Sequence, residues 1–450
     1  MRGKVAQLSI LLSTLCVLLL GGCNAQGETG HEDGPPFPKT QRLSEQETRR
    51  LHRIRDTVAE QRGLEVDSSV KEGMIDRQKL RAYFESVTGE DEAEEKREHE
   101  AWNIAYRMLR MIGPDDDLAE ISTDSYSTQV VGLYLPDERR LVLVGEEITG
   151  SIWEESTIAH EYTHSLQHKA FDIENLERNH EENPDAEYGT TMNCVIEGDA
   201  TFTEYKYLEE VYGQDWFLQA FEDDDQPSLA EETWDEQEAA SIPEAMQRYF
   251  AFPYEECYDF VQQIWDEDGW KGVNRLFQQP PATTEQILHV DKYHKGERPI
   301  EVPAPDLTAN LRDAWSEMDS GVFGEFDVYN YLLSAGLSDR VAAPAAAGWG
   351  GGRIRVYTRG AGENQDVLLH IILAWDTGDD YEQFRQAFTT GISKLDYDQI
   401  SSSGRALKWQ SPGEYGIAVW EDVELQARIV FSTDPEAMDR VERDGLEPTQ

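Results

Sequence analysis

The sequence predicts an α+β protein: a mainly helical body that carries a short β-sheet, followed by a separate small α+β domain. Three observations predict this. Apolar residues recur at spacings of three and four through residues 43–112 and again through 154–171, 191–211 and 234–277, the period of helices with one buried face. Between these stretches lie β-rich runs at Thr128–Tyr134 and Arg140–Val144, flanking the turn-like Leu135-Pro136-Asp137-Glu138-Arg139. Beyond Gly352 the pattern changes to short strands in the order β-β-α-β-β-β-α. The divisions expected are 1–22 (signal peptide), 23–42 (tether), 43–125 (N-terminal helical region), 126–340 (helical body with the site) and 341–450 (C-terminal domain).

With 450 residues the chain can bury a sizeable core, and two or three domains are the default. Its 89 acidic against 40 basic residues give a formal charge of -49, which argues against nucleic acid as a partner and against electrostatic docking on anionic lipid. The acids are spread through nearly every segment, as a whole-surface adaptation to a salt-rich habitat would spread them.

Arg2 and Lys4 precede an apolar run, Val5–Leu20, that is short for a membrane span. Leu20-Gly21-Gly22-Cys23 follows and resembles a bacterial lipobox. That resemblance implies cleavage before Cys23, lipid on its sulfur and new amino terminus, and a protein anchored to a membrane rather than spanning it. Asn24–Lys39, rich in Gly, Pro and charge, reads as a tether. Later apolar runs are strand-length, the longest being Val367–Trp375. With Cys16 in the signal and Cys23 lipidated, the mature body keeps Cys194 and Cys257, either as a disulfide of an oxidising compartment or as two buried thiols.

Leu51, Ile54 and Val58, then Leu80, Tyr83, Phe84 and Val87, set out two helices, and Glu92–Met111 a third that Gly113-Pro114 stops. These helices are either a small domain packed on the body or a pro-segment. The hairpin-like strands that follow are either core or an edge to which an extended peptide adds.

An uninterrupted helix is expected over Glu154–Phe171, with Ile158, Ala159, Tyr162 and Leu166 as its apolar face. It carries His160-Glu161-x-x-His164. Residues four apart stand one above the other, so both imidazoles can share a metal ion, and Glu161 is turned to take a proton from a water that the metal activates. With 10 His in the chain, a chance H-E-x-x-H is expected only a few hundredths of a time, on the order of magnitude that makes the motif specific. Two histidines do not hold zinc alone. A third ligand is sought on a second helix, about Thr191–Val211, after a looping acidic stretch from Asn175 to Gly189. Glu197 is the choice because Val195, Ile196 and Ala200 mark its surroundings as buried; Asp199, Glu204, Glu187 and His180 compete for the same role. Asn193 and Thr201, at i-4 and i+4, are candidates to orient its carboxylate.

Ala159-His160-Glu161-Tyr162-Thr163-His164-Ser165-Leu166-Gln167, then Phe171-Asp172-Ile173, then Glu197-Gly198-Asp199-Ala200-Thr201, resemble the bacterial and archaeal envelope-associated zinc metallopeptidases of the gluzincin type, which join an AHExxHALQ helix to an EGDAT helix. The likeness extends over Pro280–His289 with Tyr293 and Gly348–Gly351, and covers most of the chain from Leu51. It implies a zincin-like metallopeptidase core with a short substrate-side sheet, one catalytic zinc ion on His160, His164 and Glu197, Glu161 as acid/base, and a peptide or protein substrate. The chain departs from the pattern at Ser165, at His168, at Cys257, where Gly is usual, and at Gly352, where Asp is usual. Cys257 together with Cys194 beside the third-ligand helix points to a Cys194–Cys257 bridge.

Trp234–Phe277 reads as helical, its aromatic residues as core. After Pro280-Pro281, His289 and Tyr293 stand four apart. Each is a candidate oxyanion donor, with a helix-start role as the alternative. Val341–Ala347 reads as a Pro/Ala-rich joint and Gly348–Gly352 as a turn. The strands beyond are Arg353–Thr358, Val367–Trp375, Ala406–Gln410, Tyr415–Trp420 and Leu425–Ser432, with helices over Asp379–Lys394 and Asp434–Asp444. His370 lies among them without a metal-like cluster, so this domain is assigned to support, docking or substrate selection. The expectation is a zinc peptidase, lipid-anchored outside the cytoplasmic membrane; the alternative is a non-catalytic envelope scaffold or chaperone of the same shape.

Overall fold

A computed structural model describes residues 36–87, 93–145, 147–173, 187–222, 242–312, 314–362, 365–395, 397–403 and 405–444. Helix α1 (Glu45–Arg62) starts at a capping box, in which Ser44 and Glu47 satisfy each other's backbone N–H groups, and ends at Gly63 in the left-handed region (φ 72°). Its Leu51, Ile54 and Val58 are buried as the spacing required. Strand β1 (Lys71–Ile75) and helices α2 (Arg77–Val87), α3 (Ala93–Met108) and α4 (Leu118–Gln129) lead to the hairpin of β2 (Gly132–Leu135) and β3 (Arg140–Val144). The three strands form a sheet in the order β1-β3-β2, with β1 parallel and β2 antiparallel to β3.

Helix α5 (Ile152–Phe171) lies under this sheet and packs against α6 (Tyr188–Tyr212), with α1 across both. Helix α7 (Trp216–Glu222) closes the cluster of Ile158, Tyr162, Leu166, Leu208 and Trp216. Helices α8 (Glu244–Ala251) and α9 (Glu256–Leu276) follow, and Phe260, Val261 and Ile264 of α9 pack on Val195 and Ile196 of α6. Short helices α10 (Thr284–Leu288), α11 (Val290–Lys295) and α12 (Thr308–Leu311) lead out of the body.

The C-terminal part is a seven-stranded antiparallel sheet of β4 (Ser316–Val322), β5 (Trp349–Arg359), β6 (Asp366–Trp375), β7 (Asp398–Ser402), β8 (Ala406–Ser411), β9 (Glu414–Glu421) and β10 (Gln426–Ser432), ordered β4-β5-β6-β10-β9-β8-β7. One face is covered by α13 (Glu325–Ser334), α14 (Asp339–Ala346) and α15 (Gly378–Lys394), the other by α12 and α16 (Pro435–Asp444). The sheet therefore begins at Ser316, upstream of the division expected at 341. The expected joint is instead helix α14, which holds Pro344 within it. The expected glycine turn is the first part of β5: a Cβ on Gly351 would meet the carbonyl oxygen of Ile300 at 2.3 Å, and one on Gly352 that of Phe323 at 2.3 Å, so close backbone packing is what the glycines serve.

The N-terminal helices do not form a unit. Helix α1 and β1 complete the core of the body, while Ala101, Ala105 and Met108 of α3 are buried in the core of the C-terminal sheet. Arg97 donates to the carbonyl oxygens of Glu317 and Met318, which covers the edge strand β4.

His370 of β6 is fully buried, and neither ring nitrogen has a partner among the described residues. Burial, with the charges of Arg428 and Arg355, pushes its pKa down to about 3. The unfolded chain binds a proton near pH 6.5 that the folded chain refuses, so this contribution is whole above pH 6.5 and is lost as pH falls toward 3. Denaturant unfolding followed by the sheet's tryptophans should show His370→Leu losing about 2 kcal/mol less than wild type between pH 7 and pH 5. Equal losses would mean that His370 is not the group refusing the proton.

Candidate metal centre

Helix α5 is capped by the Ser151 side chain and is buried from Ile152 to Gln167, polar residues included. A helix that encloses so much polarity must satisfy it from its neighbours. The rings of His160 and His164 project from one face with centroids 4.7 Å apart. Across from them α6 places Glu197, whose Oε2 is 3.1 Å from His160 Nε2 and 3.6 Å from His164 Nε2. One atom from each of the three residues lies within 4.8 Å of the others, and all three residues are buried. His164 Nε2 and Glu197 Oε1 have no hydrogen-bond partner among the described residues. Two imidazoles, one carboxylate and these unpaired, fully buried atoms fit a zinc ion.

The layer behind the donors fixes their orientation. His160 Nδ1 lies 3.1 Å from Glu204 Oε2, and Glu204 also accepts from the Ser156 hydroxyl. His164 Nδ1 lies 3.0 Å from Gln167 Oε1. Both rings thus turn Nε2 toward Glu197 and spend Nδ1 on an acceptor, the arrangement of metal-ligating histidines. Burial works against a charged His160, yet its hydrogen bonds to Glu197 and Glu204, and their charge, raise its pKa to about 10. Burial, helped by the charge of His160, pushes His164 down. Burial would raise Glu197, but the histidines and a hydrogen bond from Tyr254 bring it below its usual value.

Glu161 is 2% exposed and is not one of the three donors. Burial raises its pKa to about 8, against the charge of His160 and with that of Glu197 and Glu204, while the backbone of Tyr134 hydrogen-bonds it. Tyr134 lies on β2, the edge strand. Because Val144 N–H donates to the Val131 carbonyl (2.8 Å), alternation along β2 turns the backbone groups of Gly132 and Tyr134 away from β3, toward the site. Gly132 allows the approach: a Cβ there would meet Thr157 Cγ2 of α5 at 2.8 Å.

Of the competitors, Glu204 stands behind His160, Asp199 pairs with Arg62, and Glu187 accepts from the backbone and hydroxyl of Thr284; His180 lies outside the described residues. No hydrogen bond joins Asn193 to Glu197 among the described residues and the Thr201 hydroxyl has no partner there, so neither is seen to orient Glu197 as expected; the carboxylate points across to α5 instead of along its own helix. His289 gives its Nε2 to Glu325 (2.9 Å), and the Tyr293 hydroxyl donates to the Gln279 carbonyl (2.8 Å). His289 is thus held against α13 and Tyr293 within the body, and among the described residues no hydrogen bond joins either to His160, His164 or Glu197. Sequence reasoning gave no role to Gln167, although it ends the helix motif quoted above, and missed Tyr254 and Arg62, whose only signals were an aromatic and a cationic residue in stretches read as helical.

Cys194 and Cys257 are joined by a disulfide between α6 and α9. Gly198, the residue after Glu197, packs on it, since a Cβ there would meet the Cys257 carbonyl oxygen at 2.6 Å. Cys23 lies outside the described residues. A second acidic group, Glu285, Glu297 and Asp376, is already filled by the Lys292 ammonium, which pairs with all three. No helix among the described residues is long and apolar enough to cross a membrane.

A family model, described as a domain of unknown function (DUF8575), matches residues 312–442. The match begins just before β4 and ends within α16, so it coincides with the seven-stranded sheet and its helices. It does not reach α5 or α6. No curated protein and no solved structure matches the chain.

Proposed function

We propose that the chain is a zinc-dependent peptidase, with His160, His164 and Glu197 as metal ligands and Glu161 as the group that moves protons. The observation that carries this reading is the buried donor set whose unpaired atoms, His164 Nε2 and Glu197 Oε1, sit beside a carboxylate that is not itself a donor. Zinc held there would polarise a scissile carbonyl and make water a nucleophile near neutral pH. Glu161 accepts the proton of that water and returns it to the leaving amine. Its burial excludes bulk water as a competing proton carrier. The backbone groups of Gly132 and the carbonyl of Tyr134, which face away from β3, would take an extended peptide as a further strand beside β2, close to Glu161.

The lipid anchor at Cys23 and a position outside the cytoplasmic membrane belong to the same proposal. The Cys194–Cys257 disulfide supports them, because such bonds persist in oxidising compartments.

The test is elemental analysis together with hydrolysis of unfolded casein at high and low salt. The protein should hold one zinc ion, lose hydrolysis to a chelator and regain it with zinc. Zinc affinity should rise with pH below about pH 10, because His160 must give up its proton to bind. A protein that binds zinc and cleaves nothing under either condition would be a metal-bearing scaffold.

A further inference from the structure

We propose that Arg62, on helix α1, is a positioning residue for the metal site and acts on His164 through Asp199 and Gln167. The inference rests on the reading of His160, His164 and Glu197 as metal ligands.

Arg62 and Asp199 are both fully buried although 137 residues apart in the chain, and they pair through Nε to Oδ1 (2.8 Å) and Nη2 to Oδ2 (3.1 Å). The guanidinium lies over the Trp270 ring, 4.5 Å from its centroid. A two-point pair with a guanidinium commits the carboxylate to accepting hydrogen bonds. Gln167 Nε2 lies 2.9 Å from Asp199 Oδ2 and 2.9 Å from the Ile196 carbonyl oxygen. Both partners only accept, so that end of the amide is its NH2 group. Gln167 Oε1 therefore faces His164 Nδ1, at 3.0 Å, and can only accept from it. The proton of neutral His164 is placed on Nδ1, and the lone pair of Nε2 is left for the metal.

Without Arg62 and Asp199 the Gln167 amide keeps one acceptor, Ile196, and is free to rotate. His164 then loses the contact that selects its tautomer. The same chain of contacts bears on residues 43–87. They supply Arg62, and also Arg50 for Glu155 of α5 and Glu72 for the Tyr162 hydroxyl. A segment so used completes the site, so its removal would dismantle the site rather than unmask it.

The experiment measures zinc affinity of the full-length protein by competition with a chromophoric chelator, with the cobalt(II) absorption spectrum as a second readout. Wild type is compared with the double variant Arg62→Met/Asp199→Leu, which leaves no charge buried alone. The double variant should keep its circular dichroism, bind zinc about 10- to 100-fold more weakly and shift the cobalt bands. A folded double variant with wild-type affinity and spectrum overturns the proposal. If that variant does not fold, the ring-nitrogen NMR of zinc-loaded wild type decides: His164 protonated at Nδ1 and metal-bound at Nε2 upholds it, and the reverse overturns it. Wild type that binds no zinc overturns the metal-site reading itself and this proposal with it, an outcome separable from failure of the Arg62 relay alone.

Discussion

Replacing Glu161 with Gln in the proposed zinc peptidase will leave zinc at one ion per chain and slow peptide hydrolysis by about 10²- to 10⁴-fold, the usual contribution of a general base. The substitution keeps the shape of a side chain that is 2% exposed, and the amide oxygen still accepts the hydrogen bond from the Tyr134 backbone. It removes only the ability to take a proton. Burial, together with the charges of Glu197 and Glu204, opposes a charged Glu161 and outweighs the attraction of His160, so a neutral residue there should not lower stability. The three donor residues are untouched. Elemental analysis, thermal melting and kcat/KM on a chromogenic peptide should therefore separate, with metal and stability held and turnover lost. Turnover at the wild-type rate in a zinc-loaded variant would assign the proton transfers to another group.

What could be read from the sequence, and what could not, follows from how far apart the interacting residues stand. His160, Glu161 and His164 are fixed by the period of one helix, and a local motif suffices to place them. Glu197 was reachable because its own neighbours, Val195, Ile196 and Ala200, are apolar and mark a buried helix face. Most strands and helices after Gly352 were legible because strand and helix periods alternate cleanly there, but β7 (Asp398–Ser402), exposed throughout, carries no apolar alternation and was missed. Arg62 was not, since an arginine in a charged helix looks solvated until the fold brings Asp199 to it across 137 residues. Strand β1 was hidden in the charged run Lys71-Glu72-Gly73, where pairing with β3 decides and propensity does not. The division at 341 failed for a similar reason: β4 and α3 belong to the C-terminal sheet by packing that no local pattern records. His289 and Tyr293 looked like site residues because they stand at helical spacing after a proline break, but spacing does not say which partner a side chain finds. In the structure those partners are Glu325 and the Gln279 carbonyl.

The Cys194→Ala/Cys257→Ala variant will lose about 4 kcal/mol of stability in its metal-free body, lowering the melting temperature by roughly 10 °C. The figure comes from the loop that the bond closes, whose ends are 63 residues apart, and from the conformational freedom that this loop regains in the unfolded chain. The bond also has a local effect. Cys194 is one turn before Glu197 on α6, and Tyr254, which hydrogen-bonds Glu197, stands just ahead of Cys257. Cutting the bond loosens both segments that meet at Glu197, the proposed third ligand, so zinc affinity should fall along with the melting temperature. Gly198→Ala separates the two effects. It leaves the disulfide in place but sets a methyl group 2.6 Å from the Cys257 carbonyl oxygen, forcing α6 away from it. If Gly198→Ala weakens zinc binding while its unfolding loop stays closed, the contact at Cys257 positions Glu197. If only the cysteine variant weakens zinc, the covalent bond does so, by holding the two helices in register. An unchanged melting temperature in the cysteine variant would show that the unfolded chain is already confined over these residues, and the loop argument would fail.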